Sequence, residues 1–493
     1  TTSHNKLQVS GETGEYTGTL SDIVPNEIYS FRAYAVNSKG TSYGEVIQLQ
    51  INISLPGVTT NEVTGVTNTS AMSGGVITDD GDGEILSKGV VWSLKKNPTI
   101  DLQTKTDEGE GNASFTSHLT DLRSGFVYYV RAYATNIVGT TYGEEIQFAT
   151  TGEIQGTSLE AANSFIISYP GVYSFRTVKG NSNESVGDVA SAEVLWESFG
   201  TDEQPEVGSL VSFATYKDGT IAFATPDEYR EGNAVIAAKD ANGTILWSWH
   251  IWLTDEPKGQ VYYNNAGTMM DRNLGATSAT PGDVGALGLL YQWGRKDPFL
   301  GSDVPPISFT DITKVASTGN WPADERSSSS KGTVDYVTKN PMTFIYSFSD
   351  SHCDWHYSRN DDLWSSSKTI YDPCPAGWRV PDGDEDGVWS KASDCGMISF
   401  GVEYDISNGG INLSGIFGSA SIIWYPTTGG LDAVGGGISF WGENRSWSVN
   451  PDNYDINCLD IGYNDYYNEC TIYTSWSHSN YRGNGYSVRC LQE

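Results

Sequence analysis

The stretch Tyr371-Asp-Pro-Cys-Pro-Ala-Gly-Trp-Arg-Val-Pro381 decides how the last part of this 493-residue chain is interpreted. Two prolines flank Cys374, and because the residue before a proline is pushed out of the helical region, this segment must run extended. Trp378 and Val380 then alternate with a polar residue, which is typical of a short strand with one buried face. A cysteine in a stiff segment suits a disulfide. Cys490, in the closing strand-like run, is the predicted partner, and the pair is expected to staple a C-terminal domain.

The cysteines are confined to that domain, since all six follow residue 350. An even number in one domain predicts up to three disulfides and an oxidising compartment, although six cysteines allow 15 connectivities. The pairing of the others therefore stays open: Cys353, Cys395, Cys458 and Cys470. A zinc cluster is disfavoured because the sequence has no pair of cysteines at the C-x₂₋₄-C spacing.

Four motifs carry a family resemblance. They are Met270-Asp-Arg-Asn-Leu-Gly-Ala276, Tyr291-Gln-Trp-Gly-Arg-Lys-Asp-Pro-Phe299, Asp372-Pro-Cys-Pro-Ala-Gly-Trp-Arg-Val-Pro381 and Tyr486-Ser-Val-Arg-Cys490. Together they resemble the Fibrobacter succinogenes major paralogous domain. That family occurs on surface proteins and lipoproteins of Bacteroidetes and Fibrobacteres. The resemblance implies an α+β fold similar to C-type lectins and formylglycine-generating enzymes over residues 257–493. It does not assign an activity, because such folds host several functions.

The amino-acid composition limits the classes of molecule that this protein is expected to bind. Sixty-one acidic residues against 29 basic ones give a net charge of −32. A surface this negative repels nucleic acid and anionic lipid. Glycans, cations and basic protein patches remain as partner classes. Fifty-five glycines and many polar turn clusters favour β architecture over helices.

An internal repeat organises the first part of the chain. Residues 29–48 and 128–147 correspond at an offset of 99, and both contain the strand-like pattern Tyr-x-x-Arg-Ala-Tyr-Ala followed by Asn. Alternating strands repeated every hundred residues or so predict tandem β-sandwich modules. The repeat is similar to fibronectin type III modules of bacterial surface proteins. Such modules are expected to be spacers. The repeat length implies that residues 1–52 are the C-terminal part of one module, so any export signal or lipid anchor is expected upstream.

The predicted fold class is therefore multidomain and mainly β, with tandem β-sandwiches ahead of the α+β lectin-like domain. Four intervals are expected: 1–52, part of a module; 53–151, a complete module; 152–256, a third β-sandwich of another type; and 257–493, the lectin-like head. In the third sandwich, Ile245-Leu-Trp-Ser-Trp-His-Ile-Trp252 is the clearest strand. We expect Ile245, Trp247, Trp249 and Ile251 on one face. His250, on the other face, is interpreted as a packed or surface residue and not a ligand.

An acidic loop suggests calcium as a cofactor. Asp382, Asp384 and Asp386 occupy positions 1, 3 and 5 of an EF-hand-like loop, with Gly387 at position 6. The bidentate carboxylate required at position 12 is replaced by Ser393. An acidic, solvated turn is the alternative interpretation.

An aromatic, polar tract near the C-terminus is the predicted ligand site. Aromatic rings stack on sugar C–H surfaces, and acidic, amide and guanidinium side chains bind hydroxyls. The alternative is that these tryptophans are core residues. The predicted site residues are Trp441, Glu443, Asn444, Arg445, Trp447 and Trp476.

No catalytic residues are predicted, because no metalloprotease motif, P-loop or Ser/His/Asp set can be placed. The expected function is a bacterial cell-surface binding protein that binds glycan or glycoprotein, as an outer-membrane adhesin or an accessory lipoprotein of nutrient uptake. The alternative is a structural or protein-docking subunit of an outer-membrane complex. A glycan-cleaving enzyme is a third hypothesis.

Overall fold

The computed structural model describes residues 6–9, 13–21, 23–153, 156–304, 313–347, 353–395, 397–398, 402–434, 438–439, 443–452, 455–464, 469–476 and 480–493. The chain divides into two compact units, Thr1–Glu153 and Ile154–Glu493. Strands dominate both units, so the chain is multidomain and mainly β, as the composition and repeat predicted.

The strands described in the first unit are short, and most alternate polar and apolar residues. They are Ile28–Phe31 (β1), Tyr34–Asn37 (β2), Gly40–Tyr43 (β3), Ile47–Gln50 (β4), Gly57–Thr60 (β5), Ala71–Asp79 (β6), Ser87–Ser93 (β7), Phe115–Leu119 (β8), Val127–Thr135 (β9), Thr140–Tyr142 (β10) and Ile146–Ala149 (β11).

Residues 57–149 form a β-sandwich. One sheet has the order β5-β6-β8, and the other is built on β9, which pairs with β7, β10 and β11. Gly75 in β6 lies against Ala132 in β9, because a Cβ atom at Gly75 would come within 2.8 Å of the Ala132 Cβ. Glycine therefore permits the close approach of the two sheets at this point.

The predicted repeat appears as identical strand register. In the first copy β1 pairs with β4, so that Tyr29 lies opposite Leu49. In the second copy β9 pairs with β11, so that Tyr128 lies opposite Phe148. Tyr29 corresponds to Tyr128, and Leu49 to Phe148, at the offset of 99 seen in the sequence. The local pairing of strands is thus encoded within each copy.

The second unit begins with eight strands that form two four-stranded sheets, in the orders β12-β14-β17-β16 and β13-β19-β18-β15. Trp247, Trp249 and Ile251 are buried between them, as the alternation of this strand predicted. The strands are Thr157–Ser158 (β12), Ser164–Ile167 (β13), Val172–Arg176 (β14), Ser191–Ser198 (β15), Phe213–Lys217 (β16), Thr220–Ala224 (β17), Gly232–Lys239 (β18) and Ile245–Leu253 (β19).

The rest of the second unit combines short strands with loops. Its strands are Gly259–Tyr262 (β20), Gly267–Met270 (β21), Leu290–Gln292 (β22), Glu325–Arg326 (β23), Ile345–Tyr346 (β24), Trp378–Arg379 (β25), Met397–Ile398 (β26), Gly410–Asn412 (β27), Trp424–Pro426 (β28), Gly430–Leu431 (β29), Ile438–Ser439 (β30), Glu443–Asp452 (β31), Asp455–Asn464 (β32), Glu469–Trp476 (β33), Gly485–Ser487 (β34) and Leu491–Gln492 (β35). The helices are Val334–Lys339 (α1) and Val388–Ser393 (α2), with 3₁₀ turns at Tyr263–Asn265 and Val284–Ala286. In the described part of the chain, no helix is long and apolar enough to cross a membrane.

A disulfide fixes the C-terminus. Cys374 and Cys490 are bonded, with their Cα atoms 6.1 Å apart. The neighbouring strands β25 and β35 pair antiparallel, so the bond links two segments that already lie side by side. The predicted pair is therefore confirmed, and it is one of the up to three disulfides that the sequence allowed; the four remaining cysteines are thiols: Cys353, Cys395, Cys458 and Cys470.

Buried side chains join the sandwich to the residues that follow it. Asn163 Nδ2 donates hydrogen bonds to the carbonyl oxygens of Ile370 and Asp372, both at 2.8 Å. Ser164 Oγ donates to the carbonyl oxygen of Pro373 at 2.6 Å. The proline-flanked cysteine segment is therefore held directly by the first strands of the sandwich.

The two central strands of the same sheet, β18 and β19, also contact the residues that follow the sandwich. Asn233 Nδ2 donates to the Gly275 carbonyl at 2.9 Å, and Trp252 Nε1 donates to the Ala276 carbonyl at 3.0 Å. Trp252 and Trp196 also pack in one apolar cluster with residues of the C-terminal region. The sequence predicted a domain boundary at 256/257, but residues on both sides of it belong to one compact unit.

His250 lies where the sandwich meets the residues that follow it, beside Ser164 and Asn233. Its Nδ1 atom is 3.1 Å from Ser164 Oγ and its Nε2 atom is 2.9 Å from Asn233 Oδ1, and the side chain is buried. Burial lowers the pKa of His250 to about 3. The imidazole is therefore a neutral hydrogen-bonding core residue, in agreement with the interpretation that it is packed.

Replacing His250 with glutamine is expected to remove a pH-dependent loss of stability. The folded-state pKa of His250 lies below its ordinary value of 6.5. Its contribution is therefore present above pH 6.5 and is lost as the pH falls towards 3, by about 1.4 kcal/mol per pH unit. Urea unfolding of both proteins between pH 7 and pH 5 measures this difference, and contributions from other groups cancel. A difference that is the same at every pH would contradict the prediction.

Candidate functional site

The motif Tyr291–Phe299 places a lysine–aspartate pair in the interior. Lys296 Nζ donates hydrogen bonds to Asp297 Oδ1 at 2.6 Å and to Ser248 Oγ at 2.7 Å, and Ser248 Oγ donates to the same carboxylate oxygen. Burial lowers the pKa of Lys296, while the Asp297 carboxylate opposes that shift. Because Ser248 belongs to β19, the pair links the sandwich to the C-terminal region. The ammonium and carboxylate groups both have their hydrogen-bond partners inside the protein.

The cavity beside this pair is too small for an organic ligand. It is lined by residues that include Gly294, Arg295 and Trp355, and its volume is about 10 Å³. A space of that size holds about one water molecule.

The remaining motifs also bond to one another. Asp372 accepts hydrogen bonds from the backbone N–H groups of Cys374 at 2.8 Å and Val380 at 2.9 Å, and burial raises its pKa to about 6. Arg489, from the last motif, donates to Asn273 Oδ1, from the first, at 3.2 Å. These side chains of the four motifs are thus engaged in hydrogen bonds inside the second unit.

The predicted aromatic site is corrected at Trp447. Its ring is fully buried, packs on Tyr486 with ring centroids 4.6 Å apart, and donates from Nε1 to the Tyr291 carbonyl at 2.7 Å. Trp447 is therefore a core residue and not a surface platform for a sugar. The alternation of β31 places Trp447 on the face of the sheet where its ring packs on Tyr486 of the neighbouring strand β34. The sequence does not indicate which face of β31 is buried.

The other residues of this prediction have separate outcomes. Arg445 is engaged in an internal ion pair with Asp460, 3.0 Å from Nε to Oδ2, and its Nη1 donates to the Tyr486 hydroxyl at 2.7 Å. The backbones of Glu443, Asn444 and Trp476 lie in β31 and β33, but their side chains lie outside the described residues, as does all of Trp441. The described part of this tract does not bring the predicted residues together as a site.

The predicted calcium loop is also corrected. Asp382 pairs with Arg379, and Asp384 accepts a hydrogen bond from Asn450 Nδ2 at 2.9 Å. Asp386 is exposed, and its backbone N–H donates to Asp384 Oδ1 at 3.1 Å. Among the described residues, no three or more His, Cys, Asp or Glu side chains are grouped so as to hold a metal ion. The structure contradicts the predicted ligand set, and the loop is a solvated turn that leads into α2.

An open depression of about 790 Å³ lies beside α2 and is our candidate functional site. Its size falls within the range of ligand-binding clefts. Every lining residue has a side chain that donates or accepts hydrogen bonds or carries a thiol. They are Asn264, Glu385, Asp386, Ser390, Lys391, Asp394 and Cys395. We call this set the acidic depression.

All of these side chains except that of Asn264 belong to helix α2 or to the residues directly before and after it. Trp389 is buried in the apolar cluster beneath the helix, so Lys391 is left on the exposed side. Asp394 ends the helix in the left-handed conformation, with φ of 51°. Asn264 Nδ2 donates to the Lys391 carbonyl at 2.9 Å and so caps the last turn of the helix.

Ser390 forms the floor of the acidic depression. Its hydroxyl lies 3.0 Å from Thr474 Oγ1, and Thr474 Oγ1 donates to the Cys395 carbonyl at 2.8 Å. The floor is thereby tied to the long strand β33, while the acidic side chains on the rim are exposed. These hydrogen bonds hold Ser390 in place beneath the exposed carboxylates.

The chemistry of the acidic depression is defined by charge. Three carboxylates, from Glu385, Asp386 and Asp394, are accompanied by one ammonium group, from Lys391. Carboxylates accept hydrogen bonds from hydroxyl and ammonium groups, and the lysine donates them. The arrangement therefore suits ligands rich in hydroxyl groups or cationic ligands, and it disfavours anions.

Sequence reasoning identified only part of this surface. Asp386 belonged to the predicted acidic loop, but we did not connect that loop with the residues that follow it. Asn264 was missed, because it lies more than a hundred residues from α2 and nothing local indicates that the two meet. One feature of the sequence could have indicated the acidic depression. It is the run of carboxylates immediately before a six-residue helix that carries an exposed lysine.

The chain matches no protein-family model and no curated protein. Parts of it are similar to solved structures. The sensor domain of the anti-sigma factor RsgI4 from Pseudobacteroides cellulosolvens is 17% identical over 21% of this chain and 100% of that chain, with a TM-score of 0.17. Domains d3–d4 of rat CD45 are 10% identical over 30% and 76%, with a TM-score of 0.18. Domains FN1–FN3 of chicken CNTN1 are 12% identical over 44% and 75%, with a TM-score of 0.16. Similarities this low carry no functional argument.

Proposed function

We propose that the protein is a bacterial cell-surface binding protein that binds glycan or glycoprotein through the acidic depression. The observation that carries the proposal is an open cleft of about 790 Å³ lined by carboxylate, amide, hydroxyl and ammonium groups. Such groups bind the hydroxyls of a sugar through charge-assisted hydrogen bonds. The protein acts by binding and not by catalysis.

The rest of the proposal comes from the resemblance of the four motifs. On this view Ile154–Glu493 contains a Fibrobacter succinogenes major paralogous domain, built against the preceding sandwich, and Thr1–Glu153 contributes spacer modules. A binding unit carried on spacers suits an outer-membrane adhesin or an accessory lipoprotein of nutrient uptake. The net charge of −32 favours neutral or cationic ligands.

A glycan array probed with the intact 493-residue chain tests the proposal. The double variant Glu385→Gln and Asp386→Asn keeps the size of both side chains and removes both charges. It is expected to lose at least tenfold in affinity, because hydrogen bonds to charged groups contribute about 1.5–3 kcal/mol each. The matched control is Asp227→Asn with Glu228→Gln, two exposed acidic residues of the sandwich, which should bind as the unaltered chain does.

Two outcomes would count against glycan binding at this site. One is an array on which the intact chain binds nothing. The other is binding that the Glu385/Asp386 variant retains in full. Three carboxylates around one cleft also fit a basic protein patch, which is the docking alternative. Capture of a basic envelope protein that depends on the same two residues would then replace a glycan as the ligand.

A further inference from the structure

An exposed apolar surface adjoins the acidic depression. Tyr263 directly precedes Asn264, which lines the depression, so the Cα atoms of these two residues lie about 3.8 Å apart. Tyr263 shows 40% of its surface to solvent, and Val261, two residues earlier, shows 68%. Ile422 shows 46%. We call Val261, Tyr263 and Ile422 the apolar rim.

Hydrogen bonds bring the segments of the apolar rim together. Strand β20, which carries Val261, lies at the edge of its sheet, and the residues between β27 and β28 lie beside it. Gln260 Nε2 donates to the Ile422 carbonyl oxygen at 2.8 Å, and the Tyr263 N–H donates to the Phe417 carbonyl oxygen at 2.7 Å. The apolar rim is therefore a surface that two distant segments of the second unit build jointly.

The preceding residue explains why Tyr263 is exposed. Tyr262 points into the interior, where its ring stacks on Phe417 with the centroids 5.5 Å apart, and its hydroxyl lies 2.9 Å from that of Tyr425. Successive side chains along a strand point to opposite faces. Because Tyr262 is the last residue of β20 and is buried, the side chain of Tyr263 is directed towards solvent.

A tight turn joins the apolar rim to helix α2. Asn264 and Asn265 both adopt the left-handed backbone conformation, with φ of 57° and 53°, which is uncommon for residues other than glycine. Asn264 Nδ2 donates to the carbonyl oxygens of Lys391 at 2.9 Å and Ala392 at 3.3 Å. Tyr263 is thereby held beside the helix that carries most of the acidic depression.

We propose that the apolar rim and the acidic depression together bind one oligosaccharide of neutral pyranose units. One sugar ring stacks its C–H face on Tyr263, and the next donates hydroxyl hydrogen bonds to Glu385 and Asp386. Exposed apolar patches bordered by polar groups mark ligand-binding grooves, in which the polar groups orient the ligand. The carboxylates of the depression disfavour acidic sugars. This inference rests on the glycan binding proposed above and adds the class of glycan and an aromatic subsite.

The test is isothermal titration calorimetry of the intact chain with cellobiose, cellotetraose, mannobiose and mannotetraose. Tyr263→Ala is expected to bind a tetrasaccharide about tenfold more weakly than the unaltered chain, because aromatic side chains are often among the residues that contribute most to binding. Its melting temperature is expected to stay unchanged, since the side chain is exposed. The matched control is Tyr357→Ala, another exposed tyrosine of the second unit, which should bind as the unaltered chain does.

Two further variants keep an aromatic ring at the position and remain informative if the alanine variant does not fold. Tyr263→Phe and Tyr263→Trp are expected to bind the same tetrasaccharide at least as tightly as the unaltered chain, because stacking requires the ring and not the hydroxyl. Much weaker binding by either folded aromatic variant would overturn the proposal. Full binding by a folded Tyr263→Ala variant would overturn it too.

The outcome for this subsite can be separated from the outcome for the proposed function. If the Glu385/Asp386 variant loses binding and Tyr263→Ala keeps it, the glycan site stands and the stacking role of Tyr263 is overturned. If none of the four sugars binds, the neutral oligosaccharide is overturned as the ligand, while the glycan array still decides whether the chain binds glycan at all.

Discussion

Residues 257–493, produced without the sandwich that precedes them, are expected not to fold, whereas Ile154–Glu493 is expected to unfold in one cooperative transition. The sandwich contributes Trp196 and Trp252 to a core that it shares with the C-terminal region. Removing a buried large aromatic side chain costs about 3–5 kcal/mol. Losing two therefore removes much of the roughly 5–15 kcal/mol that stabilises a typical domain.

Lost polar contacts add to that effect. Without Ser248, the buried Lys296–Asp297 pair loses a partner that bonds to both charges. The loop at residues 370–373 loses three hydrogen bonds from Asn163 and Ser164. Near-ultraviolet circular dichroism and thermal melting of both fragments measure the result. A native-like spectrum and a sharp melt for residues 257–493 would contradict the shared core.

The double variant Cys374→Ala and Cys490→Ala is expected to lower the free energy of unfolding of the second unit by about 4–5 kcal/mol. The two cysteines are 116 residues apart in sequence, so the disulfide restricts a long loop in the unfolded chain. Its removal frees that loop, and the C-terminal strand β35 then depends on its pairing with β21 and β25 and on its side-chain packing.

The matched control for this prediction is Cys470→Ala. Cys470 is also buried but is a thiol, so its replacement removes packing and no cross-link. A loss of about 1 kcal/mol, near the average for single substitutions, is expected there. Urea unfolding with and without a reductant distinguishes the two. If reduction left the unfolding midpoint of the unaltered chain unchanged, the disulfide would not have the assigned role.

Local patterns predicted the framework well. The alternation in Ile245–Trp252 indicated the inward face of β19, and the offset of 99 indicated a repeat whose register the structure reproduces. The proline-flanked Cys374 and the closing strand indicated the disulfide. Each of these features depends on neighbouring residues in the sequence or on a covalent bond between two stiff segments.

Most of the candidate site was not predicted, for physical reasons. Trp447 lies in a strand with polar neighbours, and only tertiary packing decides that its ring points into the core. Asp382 matched a calcium loop in spacing, but Arg379, three residues earlier, neutralises it. Asn264 reaches the acidic depression from a separate turn. The spacing of residues in the sequence shows which side chains are close along the chain. Whether side chains from distant segments meet at one site depends on tertiary contacts, which the spacing does not show.

Labelling of Cys395 tests most directly whether the acidic depression binds the ligand. Cys395 is an exposed thiol that lines the depression, whereas Cys470 is buried. Treatment of the intact chain with a bulky maleimide is expected to abolish binding to its glycan ligand, and the Cys395→Ser variant, treated in the same way, should bind as before. Equal binding by labelled and unlabelled chains, with Cys395 fully modified, would contradict the assignment of the acidic depression as the binding site.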